Sequence, residues 1–244
     1  MRPDLDLRAA LDTRGAAILL TLSLFALAGT AALGGLLQPS LMEGRTSDVE
    51  LTVVLMTLPL ALILPAVIVP VVAGEWSDRS IQNTFLQRPG RAGVLGSKTL
   101  TALVLAAGIV LVTVLLALGA TWVGGELLGE GAILSTLDGV LTTQLAVLGA
   151  TVLLSLSMGI LLQSTVLGIV AAIGIPFVVS TAGTLAVAFG SETLAEIVRA
   201  LDLTAAAVAL AEGRAGAFEL LPLVLLVLLP AVLGTRRWMR REIA

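Results

Sequence analysis

The stretch PGRAGVLGSKT, residues 89–99, has the residue types of a loop that binds nucleotide phosphates. Such a loop follows the pattern G-x-x-x-x-G-K-[ST], in which backbone N–H groups surround the phosphates and the lysine reaches them. The spacing here does not fit, because the second glycine would fall at Leu95 and because Gly96 is followed by Ser97 rather than by lysine. We also predict an apolar helix after the stretch and no strand before it. The stretch therefore does not indicate ATP binding by this chain.

The sequence also lacks most of the residues that carry out other kinds of catalysis. The sequence contains no Cys, no His and no Tyr, which removes the usual thiol nucleophile, the commonest general base and the commonest metal ligand. A Ser97–Lys98 dyad would need two adjacent helical residues to face each other, and adjacent residues on a helix do not. We therefore expect that the chain is not an enzyme and that it binds no metal and no cofactor of its own.

The composition is that of an integral membrane protein. Hydrophobic residues make up 57% of the 244 residues and charged residues 13%, against about 25% charged residues in a typical soluble domain. The mean hydropathy is +1.06. A helix needs roughly 20 apolar residues to cross the hydrocarbon core, and six segments are candidates, of which the sixth is short unless Ala217 and Phe218 join it. These segments are residues 16–37, 51–73, 100–123, 140–162, 165–187 and 220–234.

The predicted fold class is therefore an all-α integral membrane protein, with residues 1–244 forming a single transmembrane domain. The fourth and fifth spans lie in one long apolar stretch, and the polar residues 163–165 predict a tight turn between them. The second span contains Pro59, Pro65 and Pro70. A proline inside a helix lacks the N–H donor and clashes with the preceding turn, so we expect kinks in this span.

The charges predict the orientation in the membrane. Lys and Arg are enriched in the loops that face the cytoplasm. With the N-terminus in the cytoplasm, only Arg45, Arg199 and Arg214 of the 14 Lys and Arg residues fall on the outer side, and most acidic residues lie there too. Both termini are therefore predicted to be cytoplasmic, with residues 235–244 as a basic tail. The chain is expected in the inner or plasma membrane of the cell as a multi-pass protein.

Two further segments lie outside the spans. Residues 1–14 carry several acidic side chains and precede an apolar run too long for a signal peptide, so they predict an interfacial helix. Residues 188–218 form an outer helical segment, in which 191–213 show helical spacing and Ser191 is the predicted N-cap. This outer segment either packs on the bundle or acts as a gate for substrate release.

The predicted spans contain no Asp, Glu, Lys, Arg or His, which argues against an ion-coupled carrier. Their milder polar residues include Gln144, Ser155, Ser157, Ser180, Thr181 and Thr184. We favour hydrogen bonds between helices for these side chains over the lining of a polar cavity. The glycines expected to allow close approach of helices are Gly29, Gly149, Gly168, Gly174 and Gly183.

The charged segment 74–98, between the second and third spans, is the most informative part of the chain. Between its polar residues stand the apolar residues Ile81, Phe85 and Leu86. They predict a small apolar face on a short amphipathic helix, which Pro89 would end. Lys98, at the start of the third span, is expected to extend to the lipid headgroups. Such a helix either lies on the membrane as a connector or docks a cytoplasmic partner.

The segment GEWSDRSIQNTFLQRPGRAGVLGSK, residues 74–98, resembles the cytoplasmic loop of ABC-2-type transporter permeases. That loop reads Gly-Glu, an aromatic residue, a short polar turn, an apolar position, Thr-Leu, Pro, Arg, Leu and Ala-Lys. The matching positions are Gly74, Glu75, Trp76, Ser80, Ile81, Thr84, Pro89, Arg91, Leu95 and Lys98. Phe85 stands where the family has leucine. Arg79 stands where the family has glycine, so the resemblance does not predict a tight turn at this position. Six spans, the outer segment and the basic tail also fit the family.

The resemblance implies the membrane subunit of an exporter driven by ATP. A separate cytoplasmic ABC ATPase subunit would bind ATP and dock on the 74–98 loop as its coupling helix. A second permease subunit, identical or a sister chain, would complete the transporter. The ATPase-coupling residues would be Gly74, Glu75, Trp76, Ser80, Ile81, Thr84, Phe85, Pro89, Arg91 and Lys98. Glu75 would pair with a basic group near the end of the second span. The lipid bilayer is an expected partner, and nucleic acid is not.

Two other functions fit the same sequence. The chain would also suit a stand-alone channel or carrier, in which case the purified protein alone would move substrate across a liposome membrane. A non-transporting scaffold or sensor would use the 74–98 loop to bind a partner without any substrate movement. No motif identifies a substrate.

Overall fold

The computed structural model describes residues 3–41, 46–87, 90–135 and 137–240. Within these ranges, six helices are long and apolar enough to cross a membrane. They span Arg14–Leu36, Val49–Ser77, Arg91–Leu128, Leu137–Leu162, Thr165–Phe189 and Leu221–Arg240. The prediction of an all-α membrane protein with six spans is therefore confirmed, and most of the helices run several residues beyond the apolar segments.

The secondary structure of the described residues is as follows. The helices are α1 (Pro3–Leu11), α2 (Arg14–Ala31), α3 (Gln38–Leu41), α4 (Val49–Ser77), α5 (Ile81–Gln87), α6 (Arg91–Val123), α7 (Leu137–Leu162), α8 (Thr165–Phe189), α9 (Glu192–Arg199), α10 (Leu203–Ala211), α11 (Leu221–Leu223) and α12 (Leu229–Arg240). Three π-helical turns, Ala32–Leu36, Gly124–Leu128 and Val224–Leu228, extend α2, α6 and α11. Two short strands, β1 (Ser47–Asp48) and β2 (Ala132–Ile133), pair in parallel.

The centre of the bundle is formed by α4 and α7. In the most apolar 18-residue stretch of each, 56% of the residues are buried. The corresponding share is 17% for the span that contains α2 and 11% for α8, so α2 and α8 lie at the periphery. Met56, Leu64 and Ile68 of α4 and Leu154 of α7 are fully buried. Because α4 is apolar on all sides, it is suited to this central position.

Helix α1 and the last described turn of α12 both contact the start of α6, at the end of the bundle that we call the terminal end. Here Ser97 of α6 donates a hydrogen bond to the carboxylate of Asp6 in α1. Arg91, also in α6, donates through Nη1 to the carbonyl oxygen of Met239 at 3.0 Å. The opposite end, called the far end, carries the β1–β2 pair. The assignment of the terminal end to the cytoplasm stays a prediction from the charge distribution.

The connection between the fourth and fifth spans is a tight turn, as predicted. Helix α7 ends at Leu162 and α8 begins at Thr165. Gln163 has φ of 50° and is buried, and Ser164 caps α8 by accepting a hydrogen bond from the N–H of Leu167 at 3.4 Å. A left-handed residue followed by a serine cap thus reverses the chain in very few residues.

The outer segment differs from the prediction of a continuous helical stretch over 191–213, because it is divided into α9 and α10. The N-cap prediction for Ser191 is confirmed, since its hydroxyl accepts from the N–H of Leu194 at 3.4 Å. A second cap was not predicted. The carboxylate of Asp202 accepts from the N–H of Ala205 at 2.9 Å and begins α10 there. Asp is among the best N-cap residues, so it favours a new start over continuation of α9.

The glycines at close helix contacts are mostly not the predicted ones. Of the predicted set, Gly168 lies tightly against Val69, and a Cβ on Gly183 would make only ordinary contact with Val198. A Cβ on Gly29, Gly149 or Gly174 would meet nothing within 4 Å. Six glycines that were not predicted also make tight contacts: Gly34, Gly35, Gly124, Gly125, Gly159 and Gly234. The sequence shows which residues are small but does not show how each helix is rotated about its axis.

The polar residues of the spans are divided between two roles. Thr57 of α4 donates to Oε1 of Gln144 in α7 at 3.0 Å, as expected for a hydrogen bond between helices. Ser155 and Ser157 instead donate to carbonyl oxygens one turn earlier in their own helix. An unpredicted pair, Thr52 and Thr121, joins α4 to α6 with a buried hydrogen bond of 2.9 Å.

Candidate functional site

The 74–98 segment forms a compact connection at the terminal end of the bundle. Helix α4 ends at Ser77, a short turn follows, and α5 begins at Ile81. Arg79 has φ of 58°, so an arginine adopts the left-handed conformation that glycine would adopt with less strain. A tight turn is therefore present at Arg79, although the resemblance did not predict one there.

Glu75 connects the three helices of this segment. One carboxylate oxygen accepts from the Lys98 ammonium of α6 at 2.8 Å, and the other accepts from the Thr84 hydroxyl of α5 at 2.8 Å. The Lys98 ammonium also lies 3.4 Å from the carbonyl oxygen of Val71, one turn earlier in α4. A single side chain of α4 thus holds both α5 and α6 in place.

The expected position of Lys98 at the lipid headgroups is wrong. Its side chain is only 6% exposed, whereas that of Glu75 is 30% exposed. Helix α6 begins at Arg91, so Lys98 already lies in its second turn, on the side that packs against α4. A buried ammonium needs a counter-charge, and Glu75 provides one. The expectation that Glu75 pairs with a nearby basic group agrees with this geometry.

An aromatic cluster joins the same segment to the C-terminal helix. The ring of Trp76 meets Phe85 of α5 edge-on, with centroids 6.2 Å apart, and meets Trp238 of α12 edge-on at 5.2 Å. Trp238 is completely buried. The Arg91 guanidinium lies 5.3 Å from the centroid of the Phe85 ring, where a cation is attracted by the aromatic face. Helices α4, α5, α6 and α12 therefore meet at one cluster.

The apolar residues of α5 point in two different directions. Ile81 is 3% exposed and belongs to the core of the bundle, and Phe85 packs against Trp76. Leu86, by contrast, is 84% exposed. The predicted apolar face made of all three residues is therefore wrong, because two of them anchor α5 to the bundle. The exposed side of this segment faces away from the bundle at the terminal end, and we call it the outer face. Its residues include Asp78, Arg79, Gln82, Asn83 and Leu86.

The remaining predicted residues lie at the boundaries of the connection. The carbonyl of Gly74 accepts from the N–H of Asp78 at 2.9 Å, in the last turn of α4. The N–H of Ser80 bonds to the carbonyl of Glu75 at 2.9 Å, and the carbonyl of Ser80 starts α5 by accepting from Asn83. Pro89 lies outside the described residues, and α5 ends at Gln87.

Sequence reasoning missed the contribution of the C-terminal helix. Trp238 and Met239 contact this site, although they belong to the segment interpreted only as a basic tail. The sequence did contain a signal for this contact, because Trp238 stands among arginines. Tryptophan side chains are mostly buried, so one is not expected in a solvated tail. The arrangement as a whole is a rigid connection between helices, with an exposed leucine among polar side chains on its outer face.

The Thr84 hydrogen bond should contribute measurably to the stability of this connection. We expect Thr84→Ala to lower the free energy of unfolding by about 1–2 kcal/mol, because a hydroxyl that donates to a carboxylate is lost. Thermal unfolding in detergent, followed by tryptophan fluorescence, measures the change. Thr84→Ser keeps the hydroxyl and should restore most of the stability. An unchanged unfolding midpoint for Thr84→Ala would contradict the assigned role.

Comparisons with protein-family models, with curated proteins and with solved structures gave no match. The function of the site is therefore inferred from its own residues.

Proposed function

We propose that this chain is the membrane-spanning permease subunit of an ABC-2-type transporter, an exporter driven by a separate cytoplasmic ATPase subunit. The observation that carries the proposal is the fixed position of α5 between two membrane spans. Glu75 connects α5 to both α4 and α6, and the aromatic cluster connects it to α12. The sequence resemblance of residues 74–98 supports the same conclusion.

A rigid connection of this kind suits the transmission of force. A partner with two conformations biases the membrane helices only if it contacts an element that moves with them. Because α5 is held by the Thr84–Glu75 hydrogen bond, by the buried Ile81 and by packed aromatic rings, and because Glu75 also pairs with Lys98 of α6, a displacement of α5 would move α4 and α6 together. A solvated connector lying on lipid would not need such contacts.

The outer face has the chemistry of a modest protein interface. Leu86 presents an apolar side chain that is 84% exposed. Asp78, Arg79 and Asn83 are charged or polar and are exposed in the same segment. An apolar centre with a polar rim is the usual composition of such interfaces. Ile81 and Phe85, which face the bundle, would support this surface from behind.

Leu86→Asp should weaken binding of the ATPase by about tenfold or more, because loss of a hot-spot side chain at the centre of an interface costs about 2 kcal/mol or more. The partner for the test is a cytoplasmic ATPase without membrane spans, which the proposal predicts will co-purify with this chain. Its binding to the purified permease in nanodiscs is measured by surface plasmon resonance. Leu210→Asp, which changes another exposed leucine in α10, is the matched control and should bind normally.

The outcomes separate this proposal from its alternatives. Normal ATPase binding by a correctly inserted Leu86→Asp variant would refute the docking role of the outer face. Substrate movement by the purified chain alone in liposomes would favour a stand-alone channel or carrier. ATPase binding that never accompanies substrate movement would favour a scaffold or sensor. In the proposed transporter, a second permease subunit, identical or a sister chain, completes the assembly.

A further inference from the structure

A cavity of about 280 Å³ lies on the side of the bundle away from the outer face of α5. One wall is formed by α8, through Ile175, Val179 and Ser180, among others. The junction of α9 and α10 and Leu226 of the last span contribute the rest of the lining. Its volume is close to the lower limit of about 300 Å³ for small-molecule sites.

The cavity has an apolar body and one charged group. Ile175, Val179, Val198, Leu201 and Leu226 provide the apolar lining. Asp202 lines the same cavity, and its Oδ1 accepts the capping hydrogen bond from Ala205 at 2.9 Å. A carboxylate has room for further donors at its second oxygen.

The charges near the cavity favour a cation. Among the described residues of the segment 188–218, the basic side chains are Arg199 and Arg214. Both have acidic partners. Arg199 lies 4.0 Å from Glu219, and Arg214 forms an ion pair with Glu212. Asp202 is the charged residue of the cavity lining, and a carboxylate attracts cations and repels anions.

The cavity walls are also well supported. Helix α10 packs into the bundle, and its residues Leu203 and Ala207 are buried in one cluster with Leu154 and Met158 of α7. Asp202 therefore sits at the start of a helix that is fixed against the core. A ligand would meet a formed site at the junction rather than a loose loop.

We infer that this cavity binds a small amphipathic amine, with the ammonium group at Asp202 and the apolar part against α8 and Leu226. The site is separate from the outer face of α5, and its ligand binding does not depend on the proposed coupling to an ATPase. An ammonium provides the hydrogen-bond donors and positive charge that a carboxylate prefers. A short alkyl chain fits the apolar lining.

The experiment uses the natural absence of cysteine from the chain. Ser180→Cys introduces one thiol into the cavity wall, and its rate of alkylation by N-ethylmaleimide reports whether the cavity is occupied. The probes are octylamine, octanol and octanoate, which share a chain length and differ in charge. Thr181→Cys places a thiol on the neighbouring exposed position of α8, outside the cavity lining, and controls for effects on the detergent or lipid.

Octylamine should slow alkylation of the Ser180→Cys protein about fivefold more than octanol does, which corresponds to the upper range for partly exposed ion pairs. Octanoate should give less protection than octanol. The advantage of octylamine should disappear when Asp202→Asn is added, because Asn keeps the N-cap but removes the charge. Glu196→Gln, which removes an acidic group outside the cavity lining, should leave it unchanged.

Three results would overturn the inference. They are equal protection by octylamine and octanol, an octylamine advantage that survives Asp202→Asn, and equal protection of the Thr181→Cys thiol. Each would mean that the probes act through the lipid or through charges elsewhere. Since the readout is occupancy, loss of ATPase binding in the Leu86→Asp variant tests the proposed function separately.

Discussion

Glu75→Gln is expected to destabilise the protein by about 3 kcal/mol, because it leaves the buried Lys98 ammonium without a counter-charge. The Lys98 side chain is 6% exposed, so water cannot replace the lost carboxylate easily. Lys98→Met should cost less. It leaves a Glu75 side chain that is 30% exposed and can be hydrated, and the methionine fills most of the same volume. The two variants of one ion pair are therefore expected to differ.

The double variant tests this explanation. When Glu75→Gln and Lys98→Met are combined, no unpaired charge remains, and a buried pair replaced by neutral side chains is often close to neutral in stability. We expect the double variant to be more stable than Glu75→Gln alone. The measurement is a double-mutant cycle of unfolding in detergent.

An exposed ion pair of the same chain provides the control. Arg214 and Glu212 have side chains that are 72% and 40% exposed, and Glu212→Gln should change stability very little. If Glu75→Gln were as mild as Glu212→Gln, or if the double variant were the least stable of the set, the Glu75 connection would not stabilise this site.

The sequence predicts well the elements that depend only on residues close together in the chain. Apolar length alone identifies the six spans, because a helix must satisfy its own backbone hydrogen bonds while it crosses lipid. Polar residues with a capping serine identify the turn at 163–165, and the N-cap at Ser191 follows from the same chemistry. These features need no knowledge of which helix lies next to which.

Features that depend on neighbouring helices were predicted poorly. Ile81, Phe85 and Leu86 are equally apolar in the sequence, yet the first two face the bundle and the third faces outward. Lys98 could reach either the headgroups or another helix, and the choice depends on the position of Glu75 in the folded bundle. Lipid and protein interior are both apolar, so hydropathy does not distinguish a lipid-facing side from a packed one.

Gly124→Ala is expected to have the second large effect, because it places a methyl group inside a contact between two backbones. A Cβ on Gly124 would lie 1.9 Å from the carbonyl oxygen of Gly35, and one on Gly35 would lie 2.4 Å from the backbone of Ala120. The obstacle is main chain on both sides, so a change of rotamer cannot relieve it. We expect a loss of about 3 kcal/mol or more, at or above the usual cost of overpacking.

The cost extends beyond this one contact. The carbonyl of Gly35 also accepts a hydrogen bond of 2.8 Å from the buried hydroxyl of Ser47. Near the same junction, Thr121 donates to Thr52 at 2.9 Å. A displaced Gly35 would stretch these bonds, and buried polar groups left without partners are costly. The far-end junction of α2, α4 and α6 should therefore loosen as a unit.

Glycines of the same helix make the comparison specific. A Cβ on Gly108 or Gly119 of α6 would meet no heavy atom within 4 Å. Gly108→Ala and Gly119→Ala should be neutral or stabilising by up to about 1 kcal/mol, because alanine favours the helix more than glycine does. Thermal unfolding in detergent ranks the three variants. Equal stability of Gly124→Ala and Gly108→Ala would show that α2 and α6 do not approach each other this closely. A large loss confined to Gly124→Ala would show that the contact of their backbones holds the far end together.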